Sequence, residues 1–540
     1  EETIEYNYIN NIFKGLYILM VLLLVTGTLA KDIVIEQARL CKIPTRVVIL
    51  DLPVASLMKP AYILRGIKDK ITSDVDYIMV PGLIQGDISI IEKETGIKTV
   101  RGPKSAYDIS YIINNFGIEN LSKDIPACVL FKNKMKEKLL KILEDVEKDE
   151  TFLQIEGNYK IRNLKYGINY PTRIIAEIVD APNLSDEHLK EIARYYVNSG
   201  ADIIDVGMIS GESSVDKLER IFENLRNITD KPLSIDSMNE DEINKAIDLG
   251  FDMVISLDES LLKRVKIKDN VHYVLIPANL EAKYFPKDPF ERVEFLIKIY
   301  QEAKKLGFIN LILDPILDPP FAQSMLQSIV SYYLLRKKLE NVPILMGTGN
   351  ITEMIDADSV GINAILAAIS AEINSSFILT TEVSNKCKHV VKELSIASKL
   401  MYIAKKKKTY PKDLGIDLLI YKEKKLQDEP AENDDDAIVY RCNDPLEFIN
   451  DPKGWFKVYI DRRNKEVVVH HKPKYNSLKS DVVIRGRSVE GIYRKIANLG
   501  LVSRLDHAAY IAAEVQKAYH ALKLNRTYIQ DSDIFNKDFD

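Results

Sequence analysis

Cysteine is scarce in this chain. The four residues, Cys41, Cys128, Cys387 and Cys442, stand at no CxxC or metal-ligand spacing. A metal centre or a disulfide framework therefore has no local support. Reduced thiols and a cytoplasmic location are the expectation. Excess positive charge is also missing: 74 Lys and Arg stand against 79 Asp and Glu, a formal net charge of −5. That balance gives no general attraction to nucleic acid or to an anionic membrane. The seven histidines, at 188, 272, 389, 470, 471, 507 and 520, are scattered, and no Ser–His–Asp or Cys–His arrangement follows from their spacing. His470 and His471 are neighbours on an expected strand, so they point to opposite faces. A dinucleotide GxGxxG at the first turn, Walker motifs, zinc motifs and tandem repeats are all absent. One apolar run, LYILMVLLLV at 16–25, is about ten residues long, too short to cross a bilayer as a helix. It reads as a buried first β-strand rather than a signal peptide. The polar start EETIEYNYINN has no role in this pattern, and residues 1–19 read as a non-native or disordered extension ahead of Met20.

What is present is an ordinary globular mix, 46% apolar and 28% charged, over 540 residues, which is too long for one typical domain. Residues 20–160 alternate β-rich runs, MVLLLVT, RVVILDL, DYIMVPG and PACVLF, with amphipathic segments. This rhythm predicts a mostly parallel α/β sheet. Gly27 and Gly82 follow strands, where such sheets present ligand-facing turns. The charged helix KNKMKEKLLKILEDVEKD (132–149) is expected to close this domain.

Residues 165–410 repeat the rhythm eight times, with strands at 173–180, 202–207, 231–237, 252–258, 272–279, 310–315, 342–348 and 376–382. Eight strands with intervening helices fit a (β/α)8 barrel; rhythm alone leaves a doubly wound sheet as the alternative. Residues 411–436 read as a charged linker. Residues 437–531 read as a small α+β module: a hairpin turning at RRNK, a third strand DVVIRG, and two helices.

Polar residues at the carboxyl ends of barrel strands converge on one mouth. Here several strands end in one: Asp205, Asp236, Ser256 or Asp258, Asn279, Asp314, Asn350 and Glu382. Buried carboxylates suit a ligand with several N–H donors. Residue chemistry alone does not choose between a pterin, another heterocycle and a phosphosugar. GTGN at 347–350 keeps a phosphate-binding barrel enzyme open, since small residues let backbone N–H groups converge.

Four stretches resemble the pterin-binding barrels, the family of dihydropteroate synthases and methyltetrahydrofolate-dependent corrinoid methyltransferases. GADIIDVGMISGES (200–213) is similar to the second-strand motif and supplies Asp205. PLSIDS (232–237) resembles the third-strand signature, with Asp236 in the pterin-binding position. LILDP (311–315) places Asp314 where the amino-pyrimidinone part is recognised. ILMGTGNIT (344–352) resembles the seventh-strand motif, with Asn350 where the methyltransferases carry a pterin-contacting asparagine. The resemblance implies a reduced pterin held by Asp205, Asp236, Ser256, Asp314 and Asn350. Ser256 replaces the asparagine usual on the fourth strand.

The departures fall on the other half of the pocket. The first strand runs into EIVDAPNLSDE, where only Pro182 fits the synthase loop. Gly349, Asn350 and Ile351 replace its Ser-Arg-Lys, and ILTTEVSNK replaces its Arg-x-His. Dihydropteroate synthesis is therefore not the expected reaction. A diphosphate would need cations, and Arg101, Lys104 and the KKKK run at 405–408 are the candidates. The whole layout resembles dihydropteroate-synthase-related proteins of methanogenic and other archaea, which implies tetrahydromethanopterin or a precursor as the pterin. The expectation is a pterin-dependent transferase of one-carbon or pterin-linked groups. In the methyl-transfer form, a corrinoid or corrinoid protein takes the methyl, and His507 is the histidine in the tail open to that reading. Against it, a histidine before an alanine-rich helix reads as a cap or packing residue. A synthase-like condensation, a non-catalytic pterin carrier and a homo-oligomer stay open.

Overall fold

The apolar run near the start of the chain forms a strand whose residues are almost all buried. It is β2 (Val21–Gly27), and it lies at the centre of a sheet with β3 (Thr45–Leu50), β4 (Val75–Val80) and β5 (Lys98–Arg101), all parallel. The computed structural model describes residues 3–6, 20–321, 324–422, 440, 442, 449–475 and 479–535. Within residues 1–19 it therefore describes one piece, β1 (Thr3–Tyr6), which pairs antiparallel with β3 at the sheet edge. The chain divides into two units, Glu1–Lys422 and Glu423–Asp540. Among the described residues, no helix is long and apolar enough to cross a membrane.

One expected strand is a helix. PACVLF folds as Ala127–Leu130, a single turn started by Pro126, and buries Ala127 and Cys128 beside Ile112. A short apolar run does not distinguish a strand from a buried turn of helix. The fourth parallel strand is instead β5, whose sequence KTVR carries little apolar signal. The charged helix Lys132–Lys148 also differs from expectation. Its Leu139 joins the barrel core, and its Val146 packs with Tyr170 and Tyr402, so it lies on the barrel rather than closing the first sheet.

The barrel strands are β8 (Arg173–Ile178), β9 (Ile203–Gly207), β10 (Leu233–Asp236), β11 (Met253–Leu257), β12 (His272–Leu275), β13 (Asn310–Leu313), β14 (Leu345–Gly347) and β15 (Phe377–Thr381). They pair in the order β13-β12-β11-β10-β9-β8-β15-β14. A parallel bridge between Leu313 and Ile344 brings the two ends together and closes the ring. Side chains alternate in and out along each strand. Ile174, Ala176 and Ile178 face the helices, while Ile175, Ile203, Met253, Val274, Ile312 and Leu345 fill the inside. Helices between strands are well capped. Ser185 accepts from the His188 N–H, and Asp288 from Phe290 and Glu291, which satisfies donors a first turn leaves open.

A hairpin stops one end of the barrel. Its strands, β6 (Asn158–Ile161) and β7 (Leu164–Gly167), send Ile161 and Tyr166 into the inner core. Tyr166 packs on Phe377 and its hydroxyl bonds His272 Nδ1 at 2.8 Å, both residues at the amino ends of their strands. Burial lowers the His272 pKa to about 4, so the ring stays neutral. The plugged end is therefore the amino end, and the carboxyl ends of the strands form the open mouth.

The second unit has a three-stranded antiparallel sheet, β16 (Trp455–Asp461), β17 (Glu466–Lys472) and β18 (Val482–Gly486), with helices Val489–Asn498 and Leu505–Lys523. Phe456, Val458, Val467 and Val469 meet Ile492, Ile511 and Val515 in its core. Most of the expected linker, from residue 423 on, lies outside the described residues.

Tyr166→Phe leaves His272 buried without this partner. It is expected to cost about 1–3 kcal/mol of stability, read by chemical denaturation; an unchanged midpoint would mean the hairpin does not seal the barrel through this bond.

Candidate functional site

Alternation along the strands decides which polar residues reach the mouth. On β8 the inward series is Ile175 then Glu177; on β9 it is Ile203 then Asp205; on β10, Asp236 is the last residue. The result is a cluster of three carboxylates, Glu177, Asp205 and Asp236, with one oxygen of each within 4.8 Å of the others. Asp205 is fully buried. Its Oδ1 accepts from the Ser234 hydroxyl at 2.5 Å, and its Oδ2 has no partner among the described residues. Glu177 was not singled out in the sequence. The signal was there: it is an acid two residues after Ile175 that interrupts the apolar run following Arg173 in RIIAEI. Room for it comes from Gly207, where a Cβ would collide with Glu177 Oε1.

Asp314 stands just past β13 and adds a fourth buried carboxylate. Its Oδ1 accepts from the Tyr332 hydroxyl at 2.6 Å and from the Ile316 N–H at 2.8 Å. The loop that carries it is anchored by Arg292, which donates to Asp318 at 2.8 Å and to the Pro286 and Ile316 carbonyls. Arg292 and Asp318 are both buried, so this pair is held without solvent. On the neighbouring strand, a Cβ on Gly347 at the end of β14 would meet nothing within 4 Å. There is open space on that side.

The other sequence candidates separate. Ser256 is half-buried near the end of β11, and no described hydrogen bond joins it to the carboxylates. Asn350 is exposed in the turn after β14, and its amide donates to the Leu317 carbonyl at 2.9 Å. Asp258, Asn279 and Glu382 anchor loops. Asp258 accepts from Ser260, Leu261 and Leu280; Asn279 bonds Glu259 and Ala282; Glu382 accepts from Tyr195 and Val391. The cations considered for a diphosphate also lie elsewhere. Arg101 spends its guanidinium on the carbonyls of Ile84, Gly86 and Lys123 in the first sheet domain. Lys104 lines an apolar cavity of about 280 Å³ at the carboxyl ends of β2 and β4, together with Gly82. Lys407 pairs with Asp108 at 2.8 Å, and Lys405 bonds Asn374, which precedes β15 at the amino end of the barrel.

The electrostatics follow from burial without a counter-charge. Burial, then the charge of Asp180, pushes the Glu177 carboxyl up to about 7. Burial, then Glu177 and Asp314, raises Asp236 to about 7. Burial raises Asp314 to about 6 against the pull of its Tyr332 and Ile316 hydrogen bonds. Asp205 is raised further, by burial and then by Asp236 and Glu177. At a separation of 4.8 Å, each ionised pair repels by roughly 3 kcal/mol at an effective dielectric of about 20. That is enough to hold a proton about two pH units past its usual release. Such a cluster favours a ligand that brings N–H donors, and disfavours an anion.

The chain as a whole matches a Methanocaldococcus jannaschii protein described as uncharacterized protein MJ0107, with 36% identity over 538 residues, 96% of this chain and 99% of that one. Residues 180–373 match the family model of pterin binding enzymes. Residues 450–531 match a model named PterinBD-DUF4346, and residues 20–104 match a family of unknown function, DUF6513. Among solved structures, Yersinia pestis dihydropteroate synthase with a pterine-sulfa conjugate is 17% identical, covering 46% of this chain and 99% of that chain at a TM-score of 0.37. The Xanthomonas albilineans enzyme in complex with 7,8-dihydropteroate is 17% identical, covering 45% and 96% at a TM-score of 0.34. The chain belongs to the family of the M. jannaschii protein, a family of pterin-binding barrels related to dihydropteroate synthase.

The raised carboxyls fix the sign of a pH effect. Between about pH 4 and 7 they keep protons in the folded state that the unfolded chain has released, so stability falls as pH rises through that window. Asp236→Asn removes one of them and is expected to flatten the slope, read as denaturant midpoints on either side of the window. An unchanged slope would mean that Asp236 ionises as an ordinary surface acid.

Proposed function

We propose that the barrel mouth binds a reduced pterin of the tetrahydromethanopterin class and serves a transfer of one-carbon or pterin-linked groups. The observation that carries this reading is Asp314 beside Asp236 at the open end of the barrel. Both described hydrogen bonds to Asp314 land on Oδ1, which leaves Oδ2 to accept from a ligand. An amino-pyrimidinone edge offers adjacent ring and exocyclic N–H donors, and a carboxylate accepts both. The open space at Gly347, where a Cβ would meet nothing within 4 Å, supports this side as the one the ring enters. Asn350 commits its NH₂ to the Leu317 carbonyl, which leaves its amide oxygen as the atom to accept from a ligand. The match of residues 180–373 to pterin binding enzymes supports the same reading.

The reaction is read from what surrounds the carboxylates. Arg101, Lys104 and Lys407 are placed away from the mouth, which speaks against displacement of a diphosphate and for transfer of a group carried on the pterin itself. A specific observation favours methyl transfer to a corrinoid. In the second unit, His507 is buried with its Nδ1 at 3.2 Å from Asp451 Oδ2, and Asp451 also accepts from Ser503, Arg504 and Lys453. His507 lines a cavity of about 450 Å³ with Trp455, Phe456, Tyr475 and Tyr510, and its Nε2 has no described hydrogen bond. A carboxylate on one ring nitrogen fixes the other as a ligand atom. Asp451 and His507 would hold a corrinoid, which when bound supplies a cobalt able to accept a methyl group.

Incubation of the full chain with reduced folate and methanopterin derivatives, read as retained ligand by mass, tests the pterin. Asp314→Asn and Asp236→Ala are expected to weaken retention by about 10- to 100-fold. Undiminished binding in the double variant, or retention of inorganic phosphate in place of pterin, would remove the site. A cobalamin titration followed by visible absorbance tests the second unit. The spectrum should shift with the wild-type chain and not with His507→Ala; equal shifts in both, or none, would dismiss the corrinoid.

A further inference from the structure

Three carboxylates that share a buried space have to be neutralised by something. The groups facing Glu177 do not do it. They are Asp180 from its own loop, Asp205 and Asp236 from the next two strands with Asp314 beyond, and Tyr196. All are acids or a phenol, and no lysine or arginine among the described residues bonds to any of the three carboxylates. Asp205 is fully buried, and its Oδ2 is without a partner inside the cluster. Glu177 and Asp236 are the half-buried members, while Asp205 is fully buried. Its Oε1 rests against Gly207, so its position is fixed by backbone rather than by a flexible neighbour.

We propose that Glu177 is the proton carrier of the mouth, a carboxyl kept protonated by its contact with Asp205 and Asp236 and turned to donate to a ring nitrogen of the bound ligand. The proton on Glu177 rests on the cluster alone. Its delivery to a pterin rests on the function proposed above. Protonation by elimination of charge is the direct alternative to a bound cation, and burial with Asp180 shifts the group in the same direction. In the donor step the Glu177 O–H bond breaks, an N–H bond forms on the acceptor nitrogen, and the side chain is left as a carboxylate. A group leaving from that nitrogen then leaves a neutral amine behind rather than an anion. General acid work of this kind wants a carboxyl near the operating pH, and burial among acids is the usual way to obtain one.

The experiment uses the full chain without ligand first. Infrared difference spectra of wild type against Glu177→Gln at neutral pH should show one protonated-carboxyl C=O band that the variant lacks. Glutamine matches the protonated acid in shape, so folding should survive. Asp180→Asn gives a second arm: with the charge beside Glu177 gone, Glu177 releases its proton earlier, and the band should disappear at lower pH. Ligand titrations with a reduced pterin follow. Above about pH 7 wild-type affinity should fall by about tenfold per pH unit as Glu177 loses its proton, the signature of one linked proton. Glu177→Gln should lack that fall. A missing band, a band that Glu177→Gln leaves in place, or a stoichiometric divalent cation in the purified protein would overturn the proposal. A band of the expected kind with no pterin bound at any pH would instead overturn the pterin reading and the delivery step, leaving the proton on Glu177 established.

Discussion

Acidic side chains crowded at one end of a closed barrel, with no lysine or arginine among the described residues paired to the three that cluster there, are the constraint from which the rest of the site follows. The inside of the barrel is apolar along most of its length, and the β6–β7 hairpin stops its amino end. The acidic groups of the interior gather at the carboxyl ends of the strands. There Glu177, Asp205, Asp236 and Asp314 meet in a poorly solvated space. Ionising all of them is too costly, so the free protein keeps protons there. The mouth is therefore primed for donors of N–H groups and hostile to phosphate. This is how a fold shared by many chemistries is narrowed here.

The supporting groups each have a definable task. Tyr332 and the Ile316 N–H hold one oxygen of Asp314 and leave the other. Arg292 and Asp318 pin the loop on which Asp314 sits. Ser234 holds Asp205, and the absence of a side chain at Gly207 gives Glu177 its place. The asparagines and serines that end neighbouring strands are peripheral by comparison. Asn350 is exposed, and Asn279 and Asp258 are occupied with loops.

Much of this was legible in the sequence, for reasons that vary with the element. The eight strands were visible because parallel strands buried on both faces read as short apolar runs at regular spacing, and each lies within its expected range. Asp205, Asp236 and Asp314 stood out because a lone acid ends an apolar run in each. Asp258, Asn279 and Glu382 share that signature and are loop anchors; residue type does not separate a ligand-facing acid from a capping one. Glu177 was hidden because attention falls on strand ends, and it lies one residue before the end of β8. PACVLF reads as a strand because a run of five apolar residues fits a strand and a turn of helix equally well. The helix Lys132–Lys148, expected to close the first domain, has few apolar residues spread among its charges, yet Leu139 and Val146 are enough to seat it on the barrel.

The central claim is that the amino-pyrimidinone edge of a reduced pterin is read by Asp314 and Asp236 at the barrel mouth. A crystal structure of the chain soaked with a tetrahydropterin tests it most directly. The account predicts the ring at the carboxyl ends of the strands, its amino-pyrimidinone N–H groups on Asp314 Oδ2 and Asp236, and a ring nitrogen toward Glu177. A pterin seated elsewhere, or a mouth that instead takes a phosphate or a metal ion between Glu177, Asp205 and Asp236, would contradict it.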